Sequence, residues 1–338
     1  MMNRRNFLTG LTLTGIAAQF PIFAQSSSVQ RLLKPPALKP GDTVGLVTPA
    51  SPILKEHLKW IQLQLGQQEL AVKVAPHVMS EYGYLAGTDQ QRASDINQMF
   101  ADPNIRGIIA TGGGWGSGRI LPLLDYDLIR KNPKIFLGYS DITALLLGLY
   151  SQTGLVTFHG LLGTSLWNPY SVSWLKKILF EGQAVTFKNP ADIRVETIYP
   201  GQAQGRLIGG NLSVLSALVG SKYLPNWQDK ILFVEDVGED IYRIDRMLTH
   251  LKLAGILDQI SGFIFSQCTA CTKGEGNEPS LTLWQVLNDL IQPLEIPAWY
   301  GSMMGHIRDQ FTIPLGIEVQ IDTEQGTIFM LENAVIQR

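Results

Sequence analysis

The chain has 338 residues, 45% of them hydrophobic, enough to bury a large core as one large domain or two of ordinary size. Its net charge of −2 gives no electrostatic footprint for nucleic acid, and with only 17% charged residues a small or neutral substrate fits better than a polyanion.

The first segment reads as a targeting signal and not as part of the fold. Arg4 and Arg5 precede a stretch that is uncharged until Arg31 and rich in Gly, Thr, Ala and apolar residues. That arrangement resembles a twin-arginine export signal over residues 1–25, with a cut after Ala24. Gly10, Gly15 and Pro21 interrupt the apolar stretch and leave it short for a retained span, so a soluble mature protein outside the cytoplasmic membrane is expected.

Lys34-Pro35-Pro36 forms a stiff spacer, and Gly41 to Pro49 reads as a first strand leaving a turn. Leu54 to Leu65 has helical spacing, Ala71 to Val74 suits a strand, Thr88 caps a helix to Phe100, and Ile105 to Ala110 reads as a buried strand. Strand and helix alternate up to Tyr150, which predicts a parallel sheet with helices on both faces, a Rossmann-like domain over 38–170. The loop Thr111-Gly112-Gly113-Gly114-Trp115-Gly116-Ser117-Gly118-Arg119 leaves the end of a strand, where open α/β sheets carry their ligands. Its glycines fit no dinucleotide or phosphate-loop pattern, so backbone N–H groups for an oxyanion are the more economical use.

Pro133 to Asp141 is the stretch around which the rest is organised. An apolar run too short for a helix ends at Gly138, and one long enough for a helix starts past Ser140. Ser140 at such a strand-to-helix junction is either a helix cap or a displayed nucleophile with the first N–H groups of the helix beside it.

Short polar runs with Pro190, Pro200 and Gly201 mark a connection over 171–205. A second domain over 206–338 then opens with Asn211 as an N-cap, continues through a strand ending in Glu235-Asp236, an amphipathic helix from Tyr242 to Leu253, a strand from Gln259 to Ser266 and a helix from Ser280 to Ile291. From Ala298 to Met330 several short strands follow, so this domain is β-rich. Cys268 and Cys271 lie in a loop where an oxidising compartment permits a local disulfide, while zinc is disfavoured for want of two more ligands at metal spacing nearby.

A serine nucleophile needs a base, and five histidines are available. His57 and His77 sit on early surface elements and His250 within a helix; His159 ends a strand and stands in reserve. His306 is the leading candidate, in a loop between strands after Gly305. Glu235 is the best-placed carboxylate to hold an imidazole, because an acid against an apolar strand needs a partner, with Asp236 and Glu239 as competitors.

Together these segments resemble the LD-carboxypeptidases, the murein tetrapeptide carboxypeptidase family of serine peptidases. The resemblance runs through Lys39-Pro40-Gly41-Asp42, Gly113-Gly114-Trp115-Gly116 with Arg119, Gly138-Tyr139-Ser140-Asp141, Gly209-Gly210-Asn211-Leu212, Val234-Glu235-Asp236, Arg243 to Leu248, and Gly305-His306 leading to Ile313-Pro314-Leu315-Gly316. It implies Ser140 as nucleophile, His306 as general base, Glu235 as orienting acid, and the Gly114 and Asp141 N–H groups as the oxyanion hole. It further implies an N-terminal nucleophile domain, a C-terminal domain supplying Glu235 and His306, frequently a homodimer, and no metal or other cofactor. The implied reaction releases terminal D-alanine from a muropeptide by cutting its bond to the L-centre of diaminopimelate or lysine.

Two positions depart from the murein enzymes: Gly112 replaces an arginine and Trp115 a tyrosine. The related microcin-C immunity peptidases, which cleave a peptidyl-nucleotide, also lack that arginine but have Asn at the position of Gly116. Gly113, Trp115, Arg119, Asn211 and Arg308 are candidates for substrate binding, the last three for its terminal carboxylate. A muropeptide-binding protein without turnover is disfavoured by the intact Ser140, Glu235 and His306, and an ordinary α/β-hydrolase esterase by the missing G-x-S-x-G.

Overall fold

The structure is a computed structural model that describes residues 32–274 and 279–338, so the expected export signal lies outside the described residues. The first half alternates β1 (Thr43–Val47), α1 (Lys55–Gln67), β2 (Ala71–Val74), α2 (Asp89–Ala101), β3 (Ile105–Ala110), α3 (Tyr126–Lys131), β4 (Ile135–Gly138), α4 (Thr143–Thr153), β5 (Thr157–His159) and α5 (Pro169–Leu179). The second half continues with β6 (Thr186–Lys188), β7 (Glu196–Tyr199), β8 (Gln202–Asn211), α6 (Leu212–Ala217), β9 (Lys230–Val237), α7 (Ile241–Leu253), β10 (Gly262–Thr269), α8 (Leu283–Leu290) and β11 (Ala298–Tyr300). It ends in β12 (Ile313–Leu315), β13 (Glu318–Asp322) and β14 (Thr327–Met330).

Two sheets result. The first has the order β12-β5-β4-β3-β1-β2, with its first five chain-order strands parallel and β12 antiparallel on the β5 edge. The second has the order β6-β14-β13-β8-β9-β10-β11-β7, with a parallel centre of β8 to β11 and antiparallel strands on both flanks. The fold is thus the expected α/β architecture, a parallel sheet followed by a second, β-rich α/β part.

The segment expected as a plain connection is more structured than its sequence suggests. Residue 171 lies inside α5, whose Asn168 cap accepts a hydrogen bond from the Ser171 amide. The same segment then adds β6 and β7 to opposite edges of the second sheet. Edge strands of three and four residues bury one side chain each, too few to write a periodic pattern.

Helix α4 joins the two halves. Nearly every side chain on it is buried, as its apolar run requires. Leu145, Leu146 and Leu149 enter the large core that holds the first sheet and one face of the second, and Leu147 and Tyr150 the core on the second sheet's other face. Thr143 at its start accepts a hydrogen bond from the Asn211 amide at 3.0 Å, which places the end of β8 against the β4–α4 turn.

Candidate active site

Ser140 occupies the turn between β4 and α4 with a φ of +64°. That conformation is unfavourable for a residue with a Cβ, and it persists only where the surroundings impose it. One imposing contact is Gly113: a Cβ there would come within 2.9 Å of the Ser140 Oγ, so only glycine lets the β3 loop pass so close to the serine. The loop is itself pinned. The Ser51 amide donates to the Gly113 carbonyl at 3.2 Å, and the buried Arg92 guanidinium donates to the carbonyls of Pro49 and Gly116 at 2.5 and 2.9 Å.

Asp141 ties the two loops together. Its buried carboxylate accepts from the Ser117 amide at 2.8 Å, while the Ser117 hydroxyl donates to the Asp141 carbonyl at 2.5 Å. Burial pushes the Asp141 carboxyl up, with the Ser117 hydrogen bonds opposing it.

His306 and Glu235 are paired. The imidazole Nδ1 lies 2.7 Å from Glu235 Oε2, and the carboxylate is fully buried at the end of β9. Gly305, with φ of +100°, has to be glycine, because a Cβ would collide with the Glu235 carboxylate. The Tyr139 ring, one residue before the nucleophile, packs edge-on against the His306 ring with centroids 4.9 Å apart. Burial raises the Glu235 pKa and His306 opposes it. For His306, burial pulls the pKa down, but the hydrogen bond and charge of Glu235, with Asp236 behind it, outweigh that and leave it raised. Glu235 fits the orienting role because it is dry and already bonded to one ring nitrogen, which leaves Nε2 to handle protons.

His159 is a different kind of histidine. It is fully buried between the Tyr139 and Phe233 rings, and burial, with His306 nearby, pushes its pKa down to about 3. Neither ring nitrogen has a hydrogen-bond partner among the described residues. It is neutral and enclosed, which removes it as the base.

A cavity of about 600 Å³ opens beside Ser140, and Gly114, Trp115, Arg119, Asp141 and Asn211 line it. Gly113, close against Ser140, and the exposed Arg308 are not part of its lining. Of the residues expected to hold a substrate carboxylate, Asn211 is committed elsewhere: its amide donates to Asp236 at 2.9 Å and its oxygen caps α6. Arg119 forms a bidentate pair with Asp89, with contacts of 2.8 to 3.2 Å, so much of its charge is already neutralised. The lining also includes Ser213, Asp236 and Glu239. Ser213 and the supporting Ser51 were not legible in the sequence, since a lone serine near a strand end carries no pattern. Asp89 and Arg92 form an ordinary (i, i+3) helix pair, a spacing that carries no site signal in the sequence.

Two family models match the chain: the LD-carboxypeptidase N-terminal domain over residues 44–160 and the LD-carboxypeptidase C-terminal domain over 204–321. The chain belongs to the LD-carboxypeptidase family. A Bacillus subtilis relative named "Probable murein peptide carboxypeptidase" is 39% identical over 299 residues, 87% of this chain and 93% of its own length. The "Murein tetrapeptide carboxypeptidase" of Pseudomonas aeruginosa is 29% identical over 81% of this chain and 91% of its own. Among solved structures, the microcin C7 self immunity protein MccF superposes with a TM-score of 0.82 at 28% identity, covering 90% of this chain and all of that one. Each LD-carboxypeptidase domain contributes to the site: the N-terminal match contains Ser140 and the glycine loop, and the C-terminal match contains Glu235 and His306.

Proposed function

We propose that this chain is an exported serine carboxypeptidase that removes terminal D-alanine from murein tetrapeptides. Ser140 Oγ attacks the carbonyl at the L-centre of diaminopimelate or lysine while His306 takes its proton, and the Gly114 and Asp141 N–H groups receive the oxyanion. D-alanine leaves as the amine carrying that proton. A water, deprotonated by the same imidazole, then hydrolyses the acyl-enzyme. Glu235 holds the tautomer and stabilises the imidazolium. The single observation that carries this reading is a serine held at φ +64° in a strand-to-helix turn whose preceding residue, Tyr139, packs on the imidazole of a His306–Glu235 pair in 2.7 Å contact. Export rests on the Arg4-Arg5 pair and the uncharged stretch after it.

The cavity wall bears on the substrate. Asp236 and Glu239 line the cavity, Arg119 is bound to Asp89, and Arg243, 3.9 Å from Glu239, is shared with Asp240, so the wall keeps a negative balance that favours a cationic side chain such as the second amine of a dibasic residue. The second reading, hydrolysis of a peptidyl-nucleotide, draws on the likeness to MccF, one structure of which holds aspartyl sulfamoyl adenosine. An acidic wall disfavours that anionic aspartyl group.

Mass spectrometry of murein tetrapeptide, incubated with wild type and with Ser140→Ala, tests the proposal. Loss of one alanine is expected with wild type, and a fall of about 10⁶ in rate with the variant. Cleavage of aspartyl sulfamoyl adenosine with an intact tetrapeptide would transfer the assignment to the second reading, and binding without turnover would leave a receptor.

A further inference from the structure

Cys268 and Cys271 are joined as a disulfide across a four-residue turn at the end of β10, with Ala270 at φ +56° between them. The turn holds Thr269, whose hydroxyl donates to the backbone carbonyl of His306 at 2.7 Å. On its other side the same turn is sewn to the strand that carries Glu235. The Gly238 amide donates to the Thr269 carbonyl at 2.9 Å, the Thr272 amide to the Glu239 carbonyl at 3.1 Å, and the Ile241 amide to the Thr272 carbonyl at 2.8 Å. Cys268 pairs in register with Asp236, the residue after Glu235.

His306 needs such a support. It lies in the irregular stretch between β11 and β12, whose other anchors fall on its neighbours: Asn189 on the Met303 amide, Asn168 on the Arg308 carbonyl and Ser171 on the Gln310 amide. At His306 itself the ring is held by the Glu235 carboxylate and the backbone carbonyl accepts from Thr269. Thr269 is exposed, and a freely rotating hydroxyl in water gains little from one hydrogen bond. A turn closed by a disulfide loses little freedom when it makes that bond, so the hydroxyl arrives already placed.

We infer that Thr269 is a positioning residue for the catalytic base, and that the Cys268–Cys271 disulfide is the brace that holds Thr269 on His306. The inference rests on the reading of His306 as base. With the brace intact, the imidazole is held between Glu235 and the Thr269 turn, against the Tyr139 ring that precedes Ser140; without it, the His306 carbonyl turns to solvent and the ring loses its fixed bearing. A dithiol opens the brace in a balanced exchange: its thiolate attacks one Sγ to form a mixed disulfide, and its second thiol displaces the protein. Two cysteine thiols and the reagent's cyclic disulfide result, two electrons and two protons having moved to the protein.

The test reads the base in two ways on the full chain. The first is the rate at which a fluorophosphonate labels Ser140, which needs only an activated serine. The second is kcat and KM on the tetrapeptide across pH. Thr269→Val is expected to lower the labelling rate and kcat by about tenfold, with KM changed by less than about twofold, while Thr269→Ser restores most of the loss. Dithiothreitol should slow the wild type by the same factor, reversibly on reoxidation, and slow Thr269→Val no further. A Thr269→Val enzyme that labels like wild type overturns the inference, as does reduction that slows the variant as much as the parent. If the variant does not fold, reduction of wild type decides alone, and an unchanged labelling rate overturns the brace. Oxidised wild type that labels but leaves the tetrapeptide intact removes the substrate assignment while the labelling still judges the brace. Oxidised wild type that does not label removes the triad and this inference with it.

Discussion

A histidine acting as base has to be neutral before it can accept the Ser140 proton. Glu235 raises the His306 pKa above its ordinary value of 6.5 despite the burial that pulls it down. A raised value keeps the ring protonated to higher pH, so activity should fall on the acid side at a pH above 6.5. Removing the carboxylate charge leaves the burial unopposed. Glu235→Gln should therefore move the acid limb of the kcat/KM profile to lower pH while lowering its plateau by about 10³ to 10⁴, because the tautomer is no longer fixed. A pH series on both enzymes checks this, and a limb that stays in place or moves up would show that Glu235 does not act on the base. The residues of this arrangement were legible where chemistry leaves a local mark: a serine at the end of an apolar run, an acid ending another, a histidine after a glycine. Thr269 leaves none, because its role depends on a turn meeting a loop 37 residues away.

At the scale of elements, β9 does two jobs in successive residues. Glu235 points to His306, and Asp236, on the opposite face, collects the start of α6. Its buried carboxylate accepts from Asn211 Nδ2 at 2.9 Å, from the Ser213 amide and hydroxyl at 3.0 and 2.7 Å, and from the Val237 amide at 2.9 Å. Asp236→Ala leaves those donors without their acceptor in a poorly solvated place, which should cost about 3 kcal/mol in urea unfolding and raise KM, because Ser213 lines the cavity. A loss below about 1 kcal/mol would mean that water replaces the carboxylate. Helix α2, with its Thr88 cap, and α7, with its amphipathic stripe, were visible in the sequence to within a residue or two. Strand β12 was not assigned its place because three residues containing Pro314 give no period, and nothing local says that they pair with His159, Phe158 and Thr157 on β5.

That pairing decides how the whole molecule behaves. The chain leaves the second sheet at β11, passes His306, adds β12 to the edge of the first sheet, and after two residues returns to the second as β13. At this return the Gly316 amide donates to the Leu207 carbonyl at 2.8 Å and the Leu207 amide to the Ile317 carbonyl at 2.9 Å, so the crossing is fastened to β8 as well. With α4 shared between both cores, neither sheet can open without exposing apolar surface of the other. The two halves should therefore unfold as one unit. Native-state hydrogen exchange is expected to give strands β4 and β9 opening free energies equal to within about 1 kcal/mol, and activity should vanish in urea together with the tryptophan signal. If β9 opened at clearly lower cost than β4, the second sheet would be a separate unfolding unit, and activity would be lost first, because Glu235 would leave His306 while Ser140 was still held in its turn.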